Sequence, residues 1–90
     1  MSKEFDEALN LVLKLRNERK KCYGDGWLED PIQYDIWMMH GKVKRLLYML
    51  EKGENKYEKM LDSAIDLCNY SLFLIYKLTK KEKWKLNLNK

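Results

Sequence analysis

"LDSAIDLCNYSLFLIY", residues 61–76, is apolar or aromatic at eleven of its sixteen positions, yet it carries Asp62, Asp66 and Asn69 in its middle. The apolar residues recur at the helical period. Tyr57, Leu61, Ile65, Cys68, Leu72 and Ile75 fall on one stripe, and Leu67, Leu74 and Leu78 on the opposite side. The spacing predicts a helix from about Asn55 to Lys80, and a helix apolar on both sides needs cover on both sides. Glu58, Asp62, Asp66 and Asn69 stand four, four and three residues apart, inside an arc of roughly 80°, and Phe73 and Tyr76 continue the same line. Carboxylates flanked by apolar residues need a cation, a set of donors or a shifted pKa.

Upstream, "EDPIQYDIW" opens a second helix, with Asp30 expected as N-cap and Pro31 at the first helical position. It runs to about Lys52 and stops at Gly53. Ile36, Met39, Val43, Leu46, Leu47 and Leu50 share an arc of roughly 100°, which marks them as its inward face. A first helix from Lys3 to about Lys20 shows Phe5, Leu9, Val12 and Leu13 at three- and four-residue steps. Ser2 is its N-cap, acids gather at its start and bases at its end, and Gly24 in "CYGDGW" is its stop. The fold class is therefore all-α, a three-helix bundle. One short chain can hardly cover the third helix on both sides, so a homo-oligomer is expected, most simply a dimer completing a four-helix or larger bundle. A folded-back tail carrying Trp84, Leu86 and Leu88 is the alternative cover.

Ninety residues make one domain, placed at residues 1–80 with a basic, flexible tail over 81–90. The formal net charge of +4 is concentrated in two clusters. Lys77–Lys90 holds six Lys against one Glu, and "KLRNERKK" (14–21) holds five cations against one Glu. The plain reading of both is a solvated helix end and a tail; the other is a nucleic-acid contact through these basic ends. Cys22, Cys68 and the single His40 lack metal-site spacing, and a start without a signal-peptide pattern points to a reducing cytoplasm. Leu72–Tyr76, the longest apolar run, is far too short to span a bilayer, so no membrane association is expected.

Two sources can answer the acids of the third helix. Lys42 and Arg45, three apart on the second helix, can reach Asp62 and Asp66 in a salt-bridge network; oxygen ligands on one face also suit Mg²⁺, with Glu58, Asp62 and Asp66 as its ligands. Tyr23, Trp37 and Tyr70 are candidates to stack a base, Gly24 to let backbone amides approach phosphate, and Lys42 and Arg45 to bind its charge. Each aromatic also reads as ordinary core.

"YGD" after a basic helix end, "GKVKRL" on the second helix and Glu58…Asp62…Asp66-Leu67-x-Asn69-Tyr70 on the third together resemble the nucleotide-modification-associated domain family. That is a group of small all-helical proteins common in phages and bacteria. The likeness covers about Arg19 to Tyr76, and D-L-x-N-Y after Lys-x-x-Arg-Leu is its most specific part. The family is distantly similar to the all-α nucleoside triphosphate pyrophosphatases, which include MazG-like enzymes and dimeric dUTPases. Those hold Mg²⁺ with an E-x-x-E on one helix and an E-x-x-D on a later one, and a metal-bound water attacks the phosphates. Asp66-x-x-Asn69 occupies the second motif with half the charge. The first is absent: "MMHGKVKR" has no carboxylate. The resemblance with that departure implies a protein that binds a nucleotide or modified nucleotide through Tyr23, Gly24, Trp37, Lys42, Arg45, Asp62, Asp66, Asn69 and Tyr70 without hydrolysis. The alternatives are a weak Mg²⁺-dependent pyrophosphatase and a helical adaptor for protein or nucleic acid.

Overall fold

The computed structural model describes residues 2–53 and 57–80, apart from the Tyr23 side chain. Three helices fill these residues: α1 (Lys3–Tyr23), α2 (Ile32–Glu51) and α3 (Tyr57–Thr79), with a 3₁₀ turn at Gly26–Glu29 between the first two. No described helix is long and apolar enough to cross a membrane. The tail over 81–90 lies outside the described residues.

The ends of the helices follow local chemistry. The Ser2 hydroxyl caps α1 by accepting from the Phe5 N–H at 3.1 Å. Gly24 closes it, donating its N–H to the Lys20 carbonyl at 2.8 Å with φ +63°. α1 therefore runs through Cys22 and Tyr23, past the expected stop near Lys20. Pro31 itself, in extended conformation, takes the N-cap place of α2, one position later than Asp30. Gly53, at φ +64°, follows α2.

α2 and α3 form an antiparallel hairpin, and α1 lies along α3. Only the C-terminal half of α1 is engaged: Val12, Leu15, Arg16 and Arg19 are half-buried, whereas Phe5, Leu9, Leu11 and Leu13 stay exposed. The face that α2 turns inward differs from the expected one. Ile32, Asp35, Met39, Lys42, Leu46 and Met49 face α3, whereas Ile36, Val43, Leu47 and Leu50 are exposed. The helix is rotated by about one residue from its apolar arc, and two ion pairs explain the rotation. Lys42 Nζ reaches Asp66 Oδ2 at 3.1 Å, and Lys77 Nζ donates to Asp35 Oδ2 at 2.6 Å. Along α2 the acid precedes the base, and along α3 the acid also precedes the base. Only antiparallel packing brings opposite charges together; a parallel pair would set Asp35 against Asp66 and Lys42 against Lys77.

The interior is correspondingly polar. Ile32, Met49 and Ile65 are the buried apolar side chains among the described residues, and they share the interior with Asp35, Ser63, Asn69 and Lys77. Many other large apolar side chains of α2 and α3 are exposed, with Leu61, Leu72 and Ile75 in one line on α3.

Candidate functional site

The 3₁₀ turn carries Trp27 onto α3, where its indole stacks on Phe73 with centroids 4.4 Å apart and planes 11° from parallel. Tyr70 meets Phe73 edge-on at 5.6 Å and Tyr34 of α2 edge-on at 6.2 Å. These rings line a cavity of about 300 Å³ bounded by the C-terminal half of α1, the 3₁₀ turn, the start of α2 and the middle of α3. Arg16 and Arg19, three residues apart on α1, complete its wall, together with Asp30, Asp66 and Gly24. The Arg16 guanidinium carbon lies 5.3 Å from the centre of the Phe73 ring, a cation–π arrangement. The cavity thus joins aromatic surface to guanidinium donors.

Each cation already has a carboxylate. Arg19 donates to Asp66 Oδ1 while Lys42 holds Asp66 Oδ2, so one carboxylate bridges α1 and α2. Arg16 lies 3.6 Å from Asp25 and within 3.5 Å of the Gly24 carbonyl. These groups are partly exposed, so the pairs exchange readily with an incoming anion. Asn69 and Trp27, both in the cavity wall, hold buried polar atoms without a hydrogen-bond partner, Oδ1 and Nε1 respectively. Burial, reinforced by the neighbouring Tyr34 and by the charges of Asp66 and Asp30, pushes the Tyr70 hydroxyl up to about 12. It is neutral and protonated at any physiological pH. Behind the aromatic stack, Lys77 Nζ lies 5.9 Å from the Trp27 ring centre while it holds Asp35. Burial raises the Asp35 carboxyl above its usual range; the Lys77 hydrogen bond and charge oppose this, and Asp30 adds to it.

Of the residues expected to bind a nucleotide, Gly24, Asp66, Asn69 and Tyr70 line this one cavity. Lys42 touches it through Asp66. Trp37 and Arg45 do not reach it: Trp37 is 70% exposed, and both lie in a separate groove on the outer side of α2. Asp62 is exposed and makes no ion pair among the described residues. The expected network of Asp62, Asp66, Lys42 and Arg45 is therefore corrected to Arg19–Asp66–Lys42. The physical reason is the rotation of α2, which turns Lys42 in and Arg45 out. The Tyr23 side chain lies outside the described part. Glu58 borders a third, apolar groove with Leu46, Met49, Leu50 and Leu61, so Glu58, Asp62 and Asp66 do not converge. Among the described residues no three His, Cys, Asp or Glu side chains are placed to hold a metal ion.

Sequence reasoning missed Arg16, Arg19, Trp27, Tyr34 and Phe73 as a set. The signal for the arginines was present: Val12, Leu15, Arg16 and Arg19 continue one face of α1, so these two cations extend an inward stripe that the charge run concealed. Nothing local announces the Asp35–Lys77 pair, whose members are 42 residues apart. Comparison with protein-family models, curated proteins and solved structures found no match.

Proposed function

We propose that this protein binds a nucleotide in the cavity between α1, the 3₁₀ turn and α3, and that it does so without hydrolysis. The observation that carries the reading is the convergence of Arg16 and Arg19 with the Trp27–Phe73 stack on one cavity. Guanidinium groups bind phosphate in bidentate fashion, and aromatic faces accept a base. A volume of about 300 Å³ stands at the lower end of small-ligand pockets, which suits a mononucleotide with its phosphates toward the arginines. Phosphate oxygens replace Asp66 on Arg19 and Asp25 on Arg16, while the neutral Tyr70 hydroxyl and the Asn69 amide offer polar contacts to the base or sugar. The family resemblance of the D-L-x-N-Y stretch points in the same direction.

The acids support the non-hydrolytic reading. Asp30 and Asp66 are the carboxylates in the wall, and Asp66 is already gripped by two cations. Such a pair lacks the four-acid cradle on which the pyrophosphatase chemistry depends.

The proposal includes a second subunit. Ile36, Val43 and Leu50 repeat at seven-residue spacing on the exposed face of α2, with Leu47 between them. Such a line suits packing against a second copy of α2. Light scattering that gives a dimer, converted to monomer by Val43→Glu with Leu47→Glu, supports this part; a wild-type monomer at high concentration removes it.

The test of binding is a thermal-shift series with purified mono-, di- and triphosphates, followed by chromatography of the recovered ligand. A raised melting temperature with intact nucleotide, lost in Arg19→Gln and in Trp27→Ala, is the expected result. No shift across the series overturns the reading. Pyrophosphate released with Mg²⁺ or Mn²⁺ overturns its non-hydrolytic part.

A further inference from the structure

The residues that the cavity leaves out assemble elsewhere. Trp37, Gly41, Lys44, Arg45, Tyr48 and Lys52 recur at steps of three, four and seven along α2 and share an arc of roughly 100°. That arc is distinct from the face turned to α3 and from the exposed aliphatic line of Ile36, Val43, Leu47 and Leu50. All six are exposed, Trp37 at 70% and Tyr48 at 58%. All but Lys52 border an open groove of about 470 Å³, whose lining also includes Lys42, the partner of Asp66. His40 supports the edge of the Trp37 ring at 6.0 Å, and Lys52 Nζ lies 5.7 Å from the Tyr48 ring centre. The only acids of α2 are Asp35, which is buried, and Glu51 in its last turn. The arc therefore has cations between two aromatic platforms and no acid of α2 itself along most of its length.

Gly41 adds an independent observation. It stands in the middle of a twenty-residue helix, where glycine costs about 1 kcal/mol relative to alanine. No described residue requires it, since a Cβ at this position would meet none of their atoms within 4 Å. A missing side chain on the floor of an exposed groove, between Trp37 and Arg45, is explained by close approach from outside.

We propose that this face of α2 is a binding site for single-stranded nucleic acid. Trp37 and Tyr48, eleven residues apart, are separated by about 16 Å along the helix axis, the span of roughly five stacked nucleotides. Bases stack on the two rings, the sugar-phosphate chain crosses over Gly41, and Lys44, Arg45 and Lys52 neutralise its phosphates. A duplex presents no free base faces to the rings, and a lipid surface or an acidic peptide has no use for two platforms set apart by a glycine gap. Apart from Lys42, the groove's residues are separate from the nucleotide cavity, so either can fail without the other.

The experiment is fluorescence anisotropy of labelled twelve-nucleotide oligo(dT) and oligo(U) with the full chain at several salt concentrations. Expected is binding to at least one strand, quenching of tryptophan emission, and a slope of log affinity on log salt near −2, as about three neutralised phosphates require. Trp37→Ala and Tyr48→Ala each weaken it by about fivefold or more, with unchanged circular dichroism. Gly41→Ala raises the melting temperature yet weakens the strand's binding, a combination that a purely structural glycine does not give. Several results overturn the proposal: no binding at low salt, equal binding of duplex, or full affinity in Trp37→Ala. Binding only to anionic vesicles or to poly-glutamate, or Trp37→Ala acting solely by dissociating a dimer, overturns it as well.

Discussion

Lys77 of α3 holds Asp35 of α2 at 2.6 Å in the most deeply buried place among the described residues, with the carboxylate fully shielded and the lysine 3% exposed. One carboxylate oxygen, Oδ1, finds no partner. A buried pair of this kind adds little stability over an apolar pair of equal volume, but removing one member is severe. Lys77→Met is expected to lower the unfolding free energy by about 3–5 kcal/mol, measured by urea denaturation. Adding Asp35→Leu to it should recover most of the loss. A double variant as unstable as the single would show that the site demands charge.

The same pair sets a pH dependence. The Asp35 carboxyl is raised in the folded chain, so the folded state holds a proton that the unfolded chain releases at lower pH. In the window from the ordinary value near 3.8 up to the raised one, the contribution of this group to stability falls as pH rises. Wild type should therefore lose stability relative to the Asp35→Leu, Lys77→Met double variant as pH climbs through that window. Parallel curves across it would refute the shift.

Asp66 lies between Arg19 and Lys42 with all three partly exposed, so Asp66→Asn should change stability by about 1 kcal/mol or less. Its effect on binding is expected to be favourable. Freed of the carboxylate, Arg19 and Lys42 should hold a nucleoside triphosphate about fivefold more tightly, or better. Isothermal titration reads this directly. A loss of affinity would instead mean that Asp66 contacts the ligand or a metal.

Tyr70 offers a spectroscopic check on the cavity. Burial pushes its hydroxyl up to about 12, so an absorbance titration at the tyrosinate band should show one late component, absent in Tyr70→Phe. Bound nucleotide should push that component later still, since phosphate adds negative charge nearby.

Gly24 ends α1 at φ +63° and ψ −144°, a region closed to side chains, and its carbonyl lies near Arg16. Gly24→Ala should cost about 1–3 kcal/mol in chemical denaturation. Gly26→Ala, two positions on and without positive φ, should be close to neutral.

The helices themselves were legible in the chain because caps, glycine stops and a 3.6-residue period are local. Ser2, Gly24 and Gly53 act where the sequence places them, and the acids of α3 fall on one side as their spacing requires. The cavity was half legible. Asp66, Asn69 and Tyr70 could be read from α3 alone, since they share a line of one helix. Trp27 and Tyr34 could not, because a ring beside a loop glycine looks the same whether it packs, stacks or faces water. Lys77 read as part of a solvated basic helix end, while it is in fact the buried counter-ion of Asp35.

From periodicity alone, this chain is committed to three helices and to where they start and stop; Asp62 on the third is exposed, so the acids that need cations are Asp66 of α3 and Asp35 of α2. Which cations answer them was decided only by packing: Arg19 and Asp66 are 47 residues apart, and Asp35 and Lys77 are 42. The reason is physical. A helix can be rotated by one residue at little hydrophobic loss when apolar side chains surround it, and the Coulomb energy of two ion pairs across an antiparallel interface then fixes the rotation, turning Lys42 inward and Arg45 out.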